Sequence, residues 1–298
     1  ELIRQNYNHP SIFFWSIGNE TWDAPGSHAA EKLLRELAAV VRQEDPTRVS
    51  TYASNHGLND PRNFIPDVVA FNKYFGWYEG TFPEFGKFLD DFHAGHPQVP
   101  VGVSEYGAGA SIYQHEEDLH RPDPGSAWRP EDWQAKFHEA YWLQIKQRPW
   151  LWGSFVWCLF DFASAGRHEG DTIGRNDKGL VTADRLTRKD AFYWYQANWT
   201  TNAMVHITSK RFCDRTNAET RLKIYSNCDA VEVKLNGVSL GKKSSEDCRF
   251  IWPEITLQPG VNRIVAIAFR AGQPVTTDSC GWNYSLPPGP PKSSGKNP

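Results

Sequence analysis

Asn8-His9-Pro10-Ser11-Ile12-Phe13-Phe14-Trp15-Ser16-Ile17-Gly18-Asn19-Glu20 decides how the chain is read. Its first four residues are turn chemistry, because Asn and Pro set turns and Pro offers no N–H to a sheet ladder. Ile12 to Ile17 is an apolar, aromatic-rich run of strand length, as expected for a strand buried on both faces of a parallel sheet. The run then delivers Asn19 and Glu20 to the strand's C-terminal end. A carboxylate there is costly to bury and a poor choice for packing. In parallel α/β folds the carboxyl ends of strands are where chemistry sits.

Working outward, the 298 residues are enough for two domains of ordinary size. A net charge of −3 gives no reason to expect nucleic acid or an anionic membrane surface as partner. No apolar run approaches the roughly 20 residues of a membrane span. The chain starts at Glu1 without a Met and reads as cut, so the missing signal peptide carries no information. Cys158, Cys213, Cys228, Cys248 and Cys280 are odd in number and lack metal-like spacing. They read as mostly free thiols, with one possible bridge among the last four; no cofactor or metal is expected. The 13 Trp, 17 Phe and 11 Tyr fit a large aromatic core, or flat rings that stack on sugars.

Along the chain, Ser27 is a helix cap, followed by a stripe through Ala29, Ala30, Leu33, Leu34, Leu37, Ala38, Val40 and Val41. Asp45-Pro46 ends that helix. Strands are expected at Arg48 to Ala53, Asp67 to Phe71, Pro100 to Ser104 and Leu151 to Leu159. Helices are expected from about Pro83 to Ala94, after Pro130, and from Lys189 to Trp199. Five alternations of strand and helix predict parallel βα units. After Trp199 the pattern becomes short strands: Met204–Thr208, Arg221–Ser226, Val231–Leu235, Val238–Lys242, Arg249–Trp252 and Asn262–Phe269. Asn236-Gly237 supplies the two positive φ angles of a type I′ hairpin, and the whole reads as a small antiparallel sandwich. The expected domains are 1–200, 201–284 and a linker-like, disordered tail at 285–298.

Val101-Gly102-Val103-Ser104-Glu105-Tyr106-Gly107 repeats the opening logic, a buried strand ending in a lone carboxylate. Two carboxylates at two strand ends point to glycoside hydrolysis, one as acid and one as base or nucleophile. His9 reads as a turn residue and Trp15 as core. His56, Trp77 and Tyr78 fit either a structural or a sugar-facing role. Arg167, His168, Glu169 and Asp171 read as a solvated charged loop, as does Glu116-Glu117-Asp118.

Asn8 to Glu20 resembles the acid/base signature of glycoside hydrolase family 2, which contains β-galactosidases, β-glucuronidases and β-mannosidases. Ser104-Glu105-Tyr106-Gly107 resembles its nucleophile strand, and Asn72 to Tyr78 the loop after its sixth barrel strand. Phe155 to Phe162 resembles its eighth strand; Gly174 to Thr182 and Lys189 to Tyr193 resemble the segment that follows. The resemblance implies a partial (β/α)8 TIM barrel, strands four to eight, followed by an immunoglobulin-like sandwich. It implies Glu20 as general acid and then base, and Glu105 as nucleophile of a retaining mechanism. Retention requires their carboxyls about 5 Å apart. Asn19 would meet the sugar 2-hydroxyl, Tyr74 would donate to Glu105 and keep it ionised, and Trp157 would floor the sugar subsite. No cofactor enters such chemistry; the partner is carbohydrate.

Asn176 and Lys178 have the form of a pair that grips a uronate carboxylate, where a Lys point charge suits the sugar C6. Asp177 between them would partly cancel that charge, so β-galactoside is favoured over β-glucuronide. Five strands where a barrel needs eight leave two open edges. A second copy, or an N-terminal half, is expected to cover them. A non-hydrolytic fragment serving as a sugar-binding or assembly module is the reading from a different class.

Overall fold

The computed structural model describes residues 1–285, so the expected tail falls outside the described residues beyond Ser285. The chain divides into two compact units: residues 1–110, 120–129 and 133–186 form the first, and 111–119, 130–132 and Thr187 onward the second.

The first unit starts with a short helix that the sequence pattern does not announce, α1 (Leu2–Asn6), followed by β1 (Phe14–Asn19), α2 (Ala29–Glu44) and β2 (Val49–Ser54). It continues with β3 (Val68–Asn72), α3 (Phe82–Gly95), β4 (Val101–Tyr106), the body of α4 (Glu131–Lys146) and β5 (Ser154–Val156). The five strands form one parallel sheet in the order β1-β2-β3-β4-β5, with β1 and β5 at its edges. This is part of a TIM barrel, as expected. Helix α2 packs Leu34, Ala38 and Val41 with Trp15, Ile17 and Tyr52. Leu33, Leu37 and Val40 of the expected stripe stay exposed, so the buried stripe is narrower than it reads. Ser27 lies short of the cap position, which falls at His28. Helix α3 opens on a capping box in which Thr81 and Glu84 satisfy each other's backbone N–H groups. A pair of two-residue strands, β6 (Phe162–Ala163) and β7 (Arg175–Asn176), closes the loop after β5.

Three of the four strand pairings slip register near their C-terminal ends. The shifts lie between Ser16 and Asn19, between Phe71 and Asn72, and between Val103 and Tyr106. A bulge re-aims the side chains beyond it. Here the re-aimed residues include Asn19, Asn72 and Glu105, which places the irregular backbone where the chemistry-bearing groups emerge.

The second unit holds α5 (Asp190–Trp199) and a sandwich. Its strands are β8 (Val205–Ile207), β9 (Asp214–Arg215), β10 (Glu219–Ser226), β11 (Ala230–Leu235), β12 (Val238–Lys243), β13 (Arg249–Thr256), β14 (Gly260–Arg270) and β15 (Gln273–Tyr284). One sheet runs β13-β10-β8 and the other β12-β11-β14-β15-β9. Ile224, Val233, Phe250, Ile264 and Trp282 share the core between them. Asn236 and Gly237 both take positive φ, as the hairpin motif requires. All five cysteines are free thiols.

The acidic run Glu116-Glu117-Asp118 is a correction. Glu117 accepts from Arg215 at 2.8 Å, Asn217 at 2.9 Å and Thr220 at 2.9 Å, so it is a structural anchor within the second unit. Burial alone would raise its carboxyl, but these donors hold it below the ordinary range. Deeper in that unit, Asp190 accepts from His206 at 2.9 Å and from the Ser209 N–H at 2.6 Å. Buried carboxylates survive there because each has charged or N–H donors.

Candidate active site

Glu20 follows β1 in a left-handed backbone conformation, φ +49°. Its N–H donates to the Ala53 carbonyl of β2 at 2.9 Å, which pins this turn to the sheet. Glu105 stands on β4. The strand end after it passes so close to the next strand that a Cβ on Gly107 would lie 2.0 Å from the Trp157 carbonyl oxygen; only glycine fits.

These elements open a cleft of about 620 Å³. Its walls include Asn19, Glu20, Asn55, Asn72, Lys73, Tyr74, Tyr78, Glu79, Glu105, Trp157, Arg167 and Lys178. The volume suits a small ligand. Six of the seven residues expected from sequence line it. Asn176 does not: it is buried, and its Oδ1 accepts from the Lys178 N–H at 3.1 Å, shaping the loop that presents Lys178.

Tyr74 donates its hydroxyl to Glu105 Oε2 at 2.7 Å, and burial pushes its phenol pKa far up, so it stays a donor. Asn72 Nδ2 donates to Glu20 Oε1 at 2.8 Å and to Asn19 Oδ1 at 3.1 Å. Ser104 Oγ donates to Asn72 Oδ1 at 2.6 Å, which fixes the amide's orientation. Asn72 also lowers the pKa of the Glu105 carboxyl, so one amide acts on both carboxylates. Asn72 reads from sequence as the start of the loop after a strand, but it closes the buried strand Val68–Asn72, and a polar residue ending the apolar run Val68 to Phe71 is the signal for it.

Tyr74 favours the ionised form of Glu105, as expected, but other groups act against it. Burial raises its carboxyl pKa, and the nearby Glu20 charge adds to this; Tyr74, Asn72 and Lys178 only partly offset them, so the net shift is upward. Glu105 loses its charge as pH falls through that raised value, so the acidic limb of kcat/KM lies above the ordinary carboxylate range. Tyr74→Phe removes a donor to the ionised form. It is expected to move that limb to still higher pH and to lower kcat/KM at pH 6 by roughly ten-fold or more, the worth of a hydrogen bond to a charged group. A pH–rate profile of the variant checks both; an unmoved acidic limb would show that the Tyr74 contact does not tune Glu105.

At the other end of the cleft, Lys178 is buried and its Nζ donates to the Tyr78 hydroxyl at 2.8 Å. Burial lowers the ammonium pKa despite Tyr78. Burial pushes the Tyr78 phenol up, but Lys178 and Arg167 outweigh it and the net shift is down. Asp177 Oδ1 accepts from buried Arg129 at 2.6 Å, and its charge still acts on Lys178, a partial offset as the sequence suggested. Arg167, read from sequence as a solvated loop residue, reaches the cleft wall. Its guanidinium donates to Glu169 at 2.6 Å, and Glu169 lies 3.7 Å from Arg129. No periodic signal marks Arg167, whose cleft-wall neighbour Tyr78 is distant in sequence.

The remaining candidates separate cleanly. Trp77 and Trp15 are buried core. The His56 Nε2 sits 3.0 Å from the Thr21 carbonyl and 3.2 Å from the Tyr52 hydroxyl, a structural role. The His9 carbonyl accepts from Arg48 and from the Ile12 N–H, consistent with its turn. Among the described residues no group of three or more His, Cys, Asp or Glu is disposed to hold a metal.

Two carboxylates projecting from the C-terminal ends of β1 and β4, in one parallel sheet that is part of a TIM barrel, into a cleft of sugar size define the glycosidase class of site. The chain belongs to glycoside hydrolase family 2: the profile of the glycosyl hydrolases family 2 TIM barrel domain matches residues 1–203. A domain of unknown function, DUF4982, matches residues 217–276. A β-glucuronidase of Bacteroides fragilis is 44% identical over 280 residues, 93% of this chain and 40% of that protein. The chain thus spans about 40% of the length of that curated relative. The FMN-binding β-glucuronidase of Facaelibacterium prausnitzii L2-6 superposes with a TM-score of 0.88 at 40% identity, over 95% of this chain and 42% of that one. A candidate β-galactosidase of Bacteroides fragilis superposes with a TM-score of 0.89 at 34% identity, over 96% and 42%.

Proposed function

We propose that the protein containing this chain is a retaining β-glucuronidase. The observation that carries this reading is the buried ammonium of Lys178 in the cleft wall, with Arg167 beside Tyr78 and with Asp177 hydrogen-bonded to Arg129 and not to Lys178. Desolvated cations on one wall of a sugar cleft select a substrate anion, and a uronic acid carries its carboxylate on C6. This supports glucuronide over β-galactoside, whose neutral C6 hydroxyl would give the ammonium no substrate charge to pair with. The β-glucuronidase names of similar proteins agree with it.

In this mechanism the C6 carboxylate is held by Lys178, Tyr78 and Arg167, and the ring rests on Trp157. Glu105 attacks C1 while Glu20 gives its proton to the departing oxygen. A covalent glucuronyl–Glu105 ester results. Glu20, now a carboxylate, takes a proton from water as that water attacks C1, and Glu105 leaves. Asn19 bonds the 2-hydroxyl. Residues 1–200 form the catalytic domain and 201–284 an accessory sandwich.

The test uses the full-length natural protein on p-nitrophenyl β-glucuronide and p-nitrophenyl β-galactoside. A kcat/KM ratio of about 10²-fold or more in favour of glucuronide is expected, the discrimination of a site left with an unpaired charge by the wrong ligand. A preference for galactoside would overturn the reading.

A further inference from the structure

A general acid must face the oxygen it protonates, so whatever leaves the sugar lies on the Glu20 side of the cleft. The chain just beyond Glu20 starts from that side of the cleft. It carries Trp22, whose side chain is 68% exposed. Trp22 is not itself among the residues that wall the cleft, but it lies two residues beyond Glu20 and packs against His56, whose neighbour Asn55 is.

Its mounting is rigid. The N–H of the preceding Thr21 donates to the Tyr52 hydroxyl at 3.1 Å. The Thr21 carbonyl accepts from Arg62 at 3.0 Å and lies 3.0 Å from His56 Nε2. The Trp22 ring meets the buried His56 ring edge-on, centroids 4.6 Å apart. Asn55, the residue before His56, is part of the cleft wall, and its carbonyl is held by Lys73 at 3.0 Å. The indole is thus fixed on one side by its neighbours and open on the other.

We propose that Trp22 is the platform of the leaving-group subsite, stacking on the flat face of an aglycone. Both an aryl ring and the C–H face of a second sugar offer that chemistry. The inference rests on the glycosidase reading of Glu20 but not on which sugar is released.

The experiment compares wild type, Trp22→Ala and Trp22→Phe in the full-length protein, on whichever glycone the wild type hydrolyses. Three leaving groups are used: p-nitrophenol, a β-linked sugar and fluoride. Trp22→Ala is expected to lower kcat/KM by roughly ten-fold on at least one of the two flat leaving groups, the upper end of one aromatic contact, and to leave the fluoride unchanged. Trp22→Phe recovers most of the loss. The leaving group that suffers more identifies the natural partner. An equal loss on fluoride would mean a merely structural role, and no loss on either flat leaving group would mean no platform; both overturn the proposal. An error in the sugar assignment shows separately, as wild type preferring galactosides with the Trp22 pattern intact.

Discussion

Glu105→Gln is expected to lower kcat on p-nitrophenyl β-glucuronide by about 10⁴-fold or more, the scale on which removal of a covalent nucleophile acts. The amide keeps the shape and still meets Tyr74, whose hydroxyl lies 2.7 Å from Glu105 Oε2, so the loss reports chemistry and not collapse of the cleft. A smaller side chain separates the roles of the two carboxylates. In Glu105→Gly, azide enters from the side the carboxylate occupied and gives the α-glucuronyl azide. In Glu20→Ala the covalent intermediate still forms from a good leaving group, and azide then gives the β-azide. The same anomer from both variants, or full turnover in Glu105→Gln, would refute the assignment of roles.

Lys178→Ala should lower kcat/KM for the glucuronide by about 10²–10³-fold, the cost of deleting one partner of a desolvated charge pair. Turnover of the galactoside should stay within a few-fold of wild type. The pH dependence has a definite sign. Burial lowers the Lys178 ammonium pKa, so its charge is lost as pH rises through that lowered value. Glucuronide binding therefore weakens on the alkaline side before an ordinary lysine would titrate. Lys178→Arg keeps its charge throughout this range and removes the alkaline fall in 1/KM, even if the planar fork binds less well. Equal losses on both sugars in Lys178→Ala would mean that Lys178 supports the cleft without selecting the acid.

Both carboxylates were legible in the sequence, because each ends an apolar run where packing has no use for a charge. The parallel sheet was legible for the same reason. What escaped notice depends on partners far along the chain. Asp177 reads as partly cancelling Lys178, but the sequence does not show that Arg129, 48 residues away, shares it. Arg167 reads as solvated, yet it lines the cleft beside Tyr78, far back in the sequence. Strand β15 (Gln273–Tyr284) is the longest in the sandwich and was missed, because its residues are mostly polar and largely exposed, leaving no apolar alternation to find. Its turn, Ala271-Gly272, has positive φ at both residues but lacks the Asn-Gly form that gave away the earlier hairpin.

The left-handed backbone at Glu20 sets durability against chemistry at one position. A side chain there costs on the order of 1 kcal/mol that glycine does not. Laboratory evolution that rewards only heat resistance would therefore drift toward glycine at residue 20 and enrich a sturdy but silent protein. Any campaign to harden this enzyme has to score turnover in the same round.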